Sequence, residues 1–101
     1  MNKRQWIAHS DMRYMGRAWR AGYYGPAEHA RGTSVWQQII QQSRHIPFLF
    51  DDERVCRIYQ RWLLVADVSR HSAAVLKLHY ERGYKMTEAE INSALDVYSS
   101  V

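Results

Sequence analysis

A chain of 101 residues and 12.0 kDa has room for one domain with a core of modest depth, so residues 1–101 are read as a single unit. Hydrophobic residues at 47% and charged residues at 24% are ordinary globular usage and argue against wholesale disorder. The lone Cys56 excludes a disulfide framework within the chain and any zinc site of four cysteines or of two cysteines and two histidines, and the net charge of +4 favours a polyanionic partner, nucleic acid before an anionic membrane. A single cysteine also fits a reducing cytoplasm. No apolar run approaches the roughly 18 residues of a spanning helix, and Gln5-Trp6-Ile7-Ala8-His9-Ser10-Asp11 is too polar for a signal-peptide core, so neither a membrane partner nor export is expected.

The charge is uneven. Residues 1–45 carry seven basic side chains against two acidic ones, a net +5, whereas residues 46–101 carry seven against eight, a net −1.

In chain order, the first predicted helix covers about 3–21. Ala8, Met12, Met15, Trp19 and Gly22 recur at spacings of four and three, which is one helical face. Arg13, Arg17 and Arg20 recur at the same spacings on another face, about 100° around. Whether Trp6 or Tyr24 lies near that arginine stripe depends on where the helix ends. Gly22-Tyr23-Tyr24-Gly25-Pro26, continuing to Gly32, reads as a loop. A short polar helix is predicted over about 34–43, with Ser34 and Gln37 in capping-box spacing and Val35, Trp36, Ile39 and Ile40 on its apolar side. His45-Ile46-Pro47-Phe48 is a second break.

A third helix is predicted over about 52–68. Asp51 can cap it, acidic residues in its first turn suit the helix dipole, and Val55, Ile58, Tyr59, Trp62 and Ala66 give it an apolar stripe. Arg54, Arg57 and Arg61 share another side, expected to be solvated. A fourth helix over about 70–82 ends at Gly83, a natural residue for a left-handed helix stop. A fifth opens at Thr87, with Glu90 in capping-box position and Ile91, Ala94, Leu95 and Tyr98 on one face. No segment alternates strictly, so little β-structure is expected. The expected fold is a compact all-α bundle of four to five helices.

The last two helices, joined by a short turn containing Gly83, have the spacing of the front of a helix-turn-helix, spanning about 70–101, although an ordinary αα-hairpin has the same spacing. In a full motif a tight turn and a recognition helix for the major groove would follow. Ala94-Leu95-Asp96-Val97 would then end the supporting helix and make the turn, and Tyr98-Ser99-Ser100-Val101 would open the recognition helix. The Arg13, Arg17 and Arg20 stripe can grip phosphates, with Trp6, Tyr23 and Tyr24 available for stacking; charge runs of this kind also serve as plain solvated faces.

No catalytic constellation emerges. Asp51-Asp52-Glu53 point about 100° apart in a helix and do not converge on a metal. His71 and His79 are too far apart for a helical ligand pair, and His9, His29 and His45 have no partner at ligand spacing. Cys56 reads as a structural thiol. Neither a phosphate loop, a dinucleotide fingerprint nor a nucleophile elbow is present, so no enzyme, cofactor, metal or small-molecule substrate is expected.

Three blocks nevertheless resemble one family. Asp11-Met12-Arg13-Tyr14-Met15-Gly16-Arg17-Ala18-Trp19 resembles the Trp-Gly-Arg-Trp block of the phage antitermination protein Q family. Phe50-Asp51-Asp52-Glu53-Arg54-Val55 is similar to the acidic block that opens that family's middle helix. Ala74-Val75-Leu76-Lys77-Leu78-His79-Tyr80-Glu81-Arg82-Gly83-Tyr84 is similar to its entry into a sigma region-4-like helix-turn-helix. The blocks keep the family's order and span most of the chain. Met15 stands where the family often has its first Trp, Ala18 is inserted between Arg17 and Trp19, and the recognition helix is missing or cut to Tyr98–Val101.

The resemblance implies a late-gene transcription antiterminator in the cytoplasm of a bacterial host. Such a protein binds double-stranded DNA beside a late promoter, loads onto RNA polymerase and permits readthrough of terminators, by binding and without catalysis. On this reading Arg13, Arg17 and Arg20 contact phosphates, and Lys77, Lys85, Tyr98 and Ser99 act around the helix-turn-helix. The alternative is a small prophage protein–protein interaction module without DNA-binding activity.

Overall fold

The structure, a computed structural model, describes residues 1–22 and 51–101. The predicted helix over 34–43, the loop residues Tyr23 and Tyr24, and His29, Trp36 and His45 lie outside the described residues. Four helices fill the rest: α1 (Lys3–Arg20), α2 (Asp52–Val68), α3 (Arg70–Arg82) and α4 (Glu88–Ser100). No strand occurs among the described residues, and the all-α bundle follows the sequence expectation.

Each helix begins where a side chain can satisfy an orphan N–H. Before α1, Asn2 Oδ1 accepts from the Gln5 N–H at 2.8 Å while Gln5 Oε1 accepts from the Asn2 N–H at 2.9 Å. This reciprocal capping box follows from the Asn-x-x-Gln spacing of Asn2 and Gln5. Asp51 caps α2 through the Arg54 N–H at 3.3 Å. Ser69 alone separates α2 from α3. Its N–H donates to the Val65 carbonyl at 2.7 Å and its Oγ accepts from the Ser72 N–H at 3.1 Å, so one residue closes one helix and opens the next. Gly83 ends α3 at φ +71, a conformation that penalises a side chain, and the Tyr84 N–H reaches back to the Leu78 carbonyl at 3.1 Å. Thr87 Oγ1 caps α4 through the Glu90 N–H at 3.1 Å, and its hydroxyl donates to the Glu90 carboxylate at 3.0 Å. The expected capping box is thus half made: the Thr87 cap forms, but the Glu90 carboxylate accepts from the Thr87 hydroxyl and not from its backbone N–H.

The predicted stripes face inward. Ala8, Met12, Met15 and Trp19 of α1 are sealed, as are Val55 and Ile58 of α2, Leu76 of α3 and Ala94, Leu95 and Tyr98 of α4. Val65 is also sealed, and Tyr59, Trp62, Ala66 and Ile91 pack against the core from its margin. α1 packs against all three of the other described helices. Its closest approach to α3 is at Gly16, where an added Cβ would lie 2.2 Å from the Tyr80 carbonyl oxygen. The helix accepts the propensity cost of a central glycine because nothing larger fits there.

The C-terminal reading requires one correction. α4 runs unbroken from Glu88 to Ser100, so Ala94–Val97 is not a turn and Tyr98 does not open a new helix. No glycine or proline interrupts the segment, and Leu95 and Tyr98 share the buried face. The pair α3–α4 with its glycine turn is therefore the whole of the motif within the described residues. No described helix is long and apolar enough to cross a membrane.

Candidate nucleic-acid interface

Because α1 is continuous from Lys3 to Arg20, the open question about Trp6 is answered. At 100° per residue Trp6, Arg13 and Arg17 fall within about 20° of one line, and Arg20 within about 40°. They occupy the side of α1 away from the sealed Ala8, Met12, Met15 and Trp19 stripe. All four residues are exposed.

Two grooves flank this line and share His9, Arg13 and Arg17. One, of about 420 Å³, runs against the end of α3 and is completed by Arg20, His79 and Tyr80. The other, of about 340 Å³, runs toward the start of α2 and is completed by Trp6, Ser10, Tyr14 and Arg54. Among the described residues neither groove has a carboxylate in its walls. Arg13 and Arg17 form the ridge between them, so the surface offers cations on both sides of a single helix turn.

The surrounding cations are partly committed to the fold. Arg20 Nη1 donates to the carbonyls of Tyr80, at 2.6 Å, and Glu81, at 3.2 Å, where it neutralises the negative end of α3. Arg54 stacks over the Tyr14 ring at 4.2 Å and lies 4.0 Å from Asp11. Arg61 Nε donates to the Tyr98 carbonyl at 2.8 Å and its Nη2 to the Ser99 carbonyl at 3.2 Å. The Arg54, Arg57 and Arg61 side of α2, expected to be solvated, thus holds two structural arginines, and of the three Arg57 is the one exposed to solvent.

His9 lies at the centre of the face. Its Nδ1 is 2.7 Å from the Tyr80 hydroxyl. Burial, then the neighbouring Arg13 charge, then His79, hold its pKa below the usual 6.5, so the ring is neutral at physiological pH. Burial pushes the Tyr80 phenol up to about 12, against a smaller opposing pull from Arg13. The arginines therefore carry the charge of this face at neutral pH. His79 Nδ1 is 2.9 Å from the Tyr84 carbonyl; a carbonyl only accepts, so Nδ1 carries the proton of that bond.

The remaining predicted contacts lie elsewhere. Lys77 Nζ sits over the rings of Trp19, at 5.4 Å, and Trp62, at 5.7 Å, and 3.9 Å from the Glu81 carboxylate. Lys85 is exposed in the α3–α4 turn. The Tyr98 ring is 3% exposed, and its hydroxyl donates to Asp11 at 3.1 Å. Burial foremost, with Asp11 adding to it, raises that phenol's pKa. Ser99 Oγ donates to the Leu95 carbonyl at 2.9 Å and its own carbonyl accepts from Arg4 at 3.0 Å. Tyr98 and Ser99 are thus engaged with α1 and with their own helix, on the margin of a separate small groove beside Arg4 and Arg61 and away from the arginine ridge. Trp6, expected as a stacking residue, lies in one of these grooves; His9, His79 and Arg54 are members of the basic face without a sequence signal as contacts, His79 and Arg54 because they reach it only through the packing of α3 and α2 on α1.

Among the described residues no group of three His, Cys, Asp or Glu side chains is arranged to hold a metal. Comparisons with protein-family models, curated proteins and solved structures found no match to this chain.

Proposed function

We propose that the chain binds nucleic acid through the exposed face of α1 and acts as a phage transcription antitermination factor. In this role it engages double-stranded DNA and RNA polymerase in a bacterial cytoplasm and permits readthrough of late-gene terminators. The observation that carries the binding is the Arg13–Arg17 ridge, set between two grooves whose described walls hold no carboxylate. Guanidinium groups in such a place suit phosphate oxygens and fix a duplex without reading its sequence. The antitermination role is supported by the three sequence blocks, the first of which lies in α1 and supplies both arginines. The chain acts by binding and not by catalysis. Arg13 and Arg17 are the phosphate contacts, Lys85 is an accessible additional one, and Arg20 and Lys77 contribute positive potential while serving the fold.

Two measurements test this. In transcription by purified RNA polymerase across a terminator, the protein should increase the full-length product, and Arg13→Gln with Arg17→Gln should remove the increase; termination unchanged by the wild-type chain overturns the antitermination role. In titrations of duplex DNA against salt, affinity should fall steeply as salt rises, and each arginine removed should lower the slope of log K against log salt by about 1.

A second reading, a protein–protein interaction module, is favoured by Leu63, Leu64 and Val68. These are 41%, 51% and 69% exposed along the later turns of α2, and Leu64 and Val68 are neighbours on one helical face. Absence of any duplex binding at low salt would favour it.

A further inference from the structure

The tryptophans of the described residues divide by use. Trp19 is sealed in the core at 1% exposure. Trp62 donates through Nε1 to the Ala73 carbonyl at 3.0 Å and meets Trp19 edge-on with ring centres 5.1 Å apart. Trp6 does neither. It is 57% exposed, and its ring contact among the described residues is His9, perpendicular to it with centres 5.5 Å apart. One perpendicular neighbour can cover at most one of the two faces of an indole. Leaving so large an apolar ring in water gains nothing for folding.

Its position is what gives it a use. Trp6 stands on the same line of α1 as Arg13 and Arg17, about 10 Å and 16 Å along the helix axis. Trp6, Arg13, Arg17 and Arg54 line one groove of about 340 Å³, a volume within the usual range for ligand clefts, about 300–1,000 Å³. In a duplex the faces of the bases are occupied by their neighbours, and an indole on the flank of a helix reaches only edges and backbone. In an unpaired strand a base face is free, and an aromatic ring beside guanidinium groups supplies both requirements of such a strand, a stacking surface and phosphate contacts.

We infer that Trp6, together with Arg13 and Arg17, forms a site for an unpaired nucleotide of a single strand, its base stacked on the indole and its phosphates on the arginines. This rests on the reading that the α1 face binds nucleic acid and adds the form of nucleic acid it prefers. The chemistry is shared by single-stranded DNA and RNA.

The test uses fluorescence anisotropy of the full chain with three end-labelled probes at low salt: a 12-mer of deoxyuridine, a 12-mer of uridine, and a 12-base-pair duplex. Trp6→Ala should weaken binding of at least one single strand by about 5- to 100-fold, the usual effect of removing one stacking aromatic, and change duplex binding by less than twofold. Trp6→Phe keeps a ring and should restore most of the loss. Loss with one single strand alone identifies the sugar the site accepts. Arg13→Gln with Arg17→Gln should weaken all three probes. Equal weakening of duplex and single strands by Trp6→Ala overturns the stacking site, as does no weakening at all; in the latter case an arginine effect on every probe leaves the phosphate-binding reading standing. Failure of the wild-type chain to bind any probe overturns both. Circular dichroism of each variant shows that its helices persist, as expected for an exposed position.

Discussion

His9 is placed where a proton is unwelcome. Burial and the charge of Arg13 lower its pKa, with His79 adding to the effect, while the Tyr80 hydroxyl sits 2.7 Å from its Nδ1. In the unfolded chain the same imidazole takes a proton near its ordinary value of 6.5. As pH falls through that value the unfolded state gains protons before the folded one, so stability is full above about 6.5 and declines below it. His9→Gln keeps a polar group without the titration. Its melting temperature should drop less than that of the wild type between about pH 7.5 and about pH 5.5, before most carboxylates protonate. An identical drop in the two proteins would remove His9 from the pH dependence.

At the scale of the elements, the decisive contact is the crossing of α1 and α3. Gly16 permits it, and a methyl group there meets backbone, which cannot rotate away as a side chain can. Gly16→Ala should therefore destabilise the protein despite alanine's better helix propensity, by about 3 kcal/mol, the upper part of the range for overpacking. On a domain of this size that lowers the melting temperature by more than about 10 °C. A variant as stable as the wild type would mean that the two helices separate at little cost. This crossing also marks what local sequence can convey. The limits of α2 and α3, the stop at Gly83 and the inward stripes were legible, because caps and periodicity act within four residues. The crossing at Gly16 was not, since it depends on Tyr80, far along the chain. The inward side of Tyr98 was legible from its spacing with Ala94 and Leu95, but its hydroxyl partner, Asp11, 87 positions away, was not. The unbroken run of α4 through Ser100 was legible in principle, as Ala94–Val97 contains no breaker, and the helix-turn-helix pattern outweighed that signal.

Over the described part of the molecule, several arginines serve the ends of helices while Arg13 stands on the surface. α4 has no basic residue in its last turn, yet its terminal carbonyls carry the negative end of the helix dipole. Arg4 from α1 and Arg61 from α2 supply the missing charge by bonding to Tyr98 and Ser99, and Arg20 does the same for α3. The ridge residue Arg13 has no such assignment among the described residues. Arg61→Ala should cost about 1–2 kcal/mol, seen as a melting temperature several degrees lower. Arg13→Ala should stay within about 0.5 kcal/mol of the wild type. Equal losses from both would contradict the division. The same division explains why the basic half of the sequence was a useful but coarse guide: net charge counts arginines without distinguishing those spent on carbonyls from those left on the surface.

The bonds from α1 to α3 and α4 join positions 60 to 95 residues apart. The helix that carries the basic face thus leaves the ribosome well before α3 and α4, to which it bonds across that distance. A nascent chain halted before Thr87 has no α4 to help cover Met12 and Met15, and the clasp at Ser99 does not yet exist. In that interval the first helix presents its apolar stripe to water beside its arginines, the kind of surface that chaperones and proteases bind.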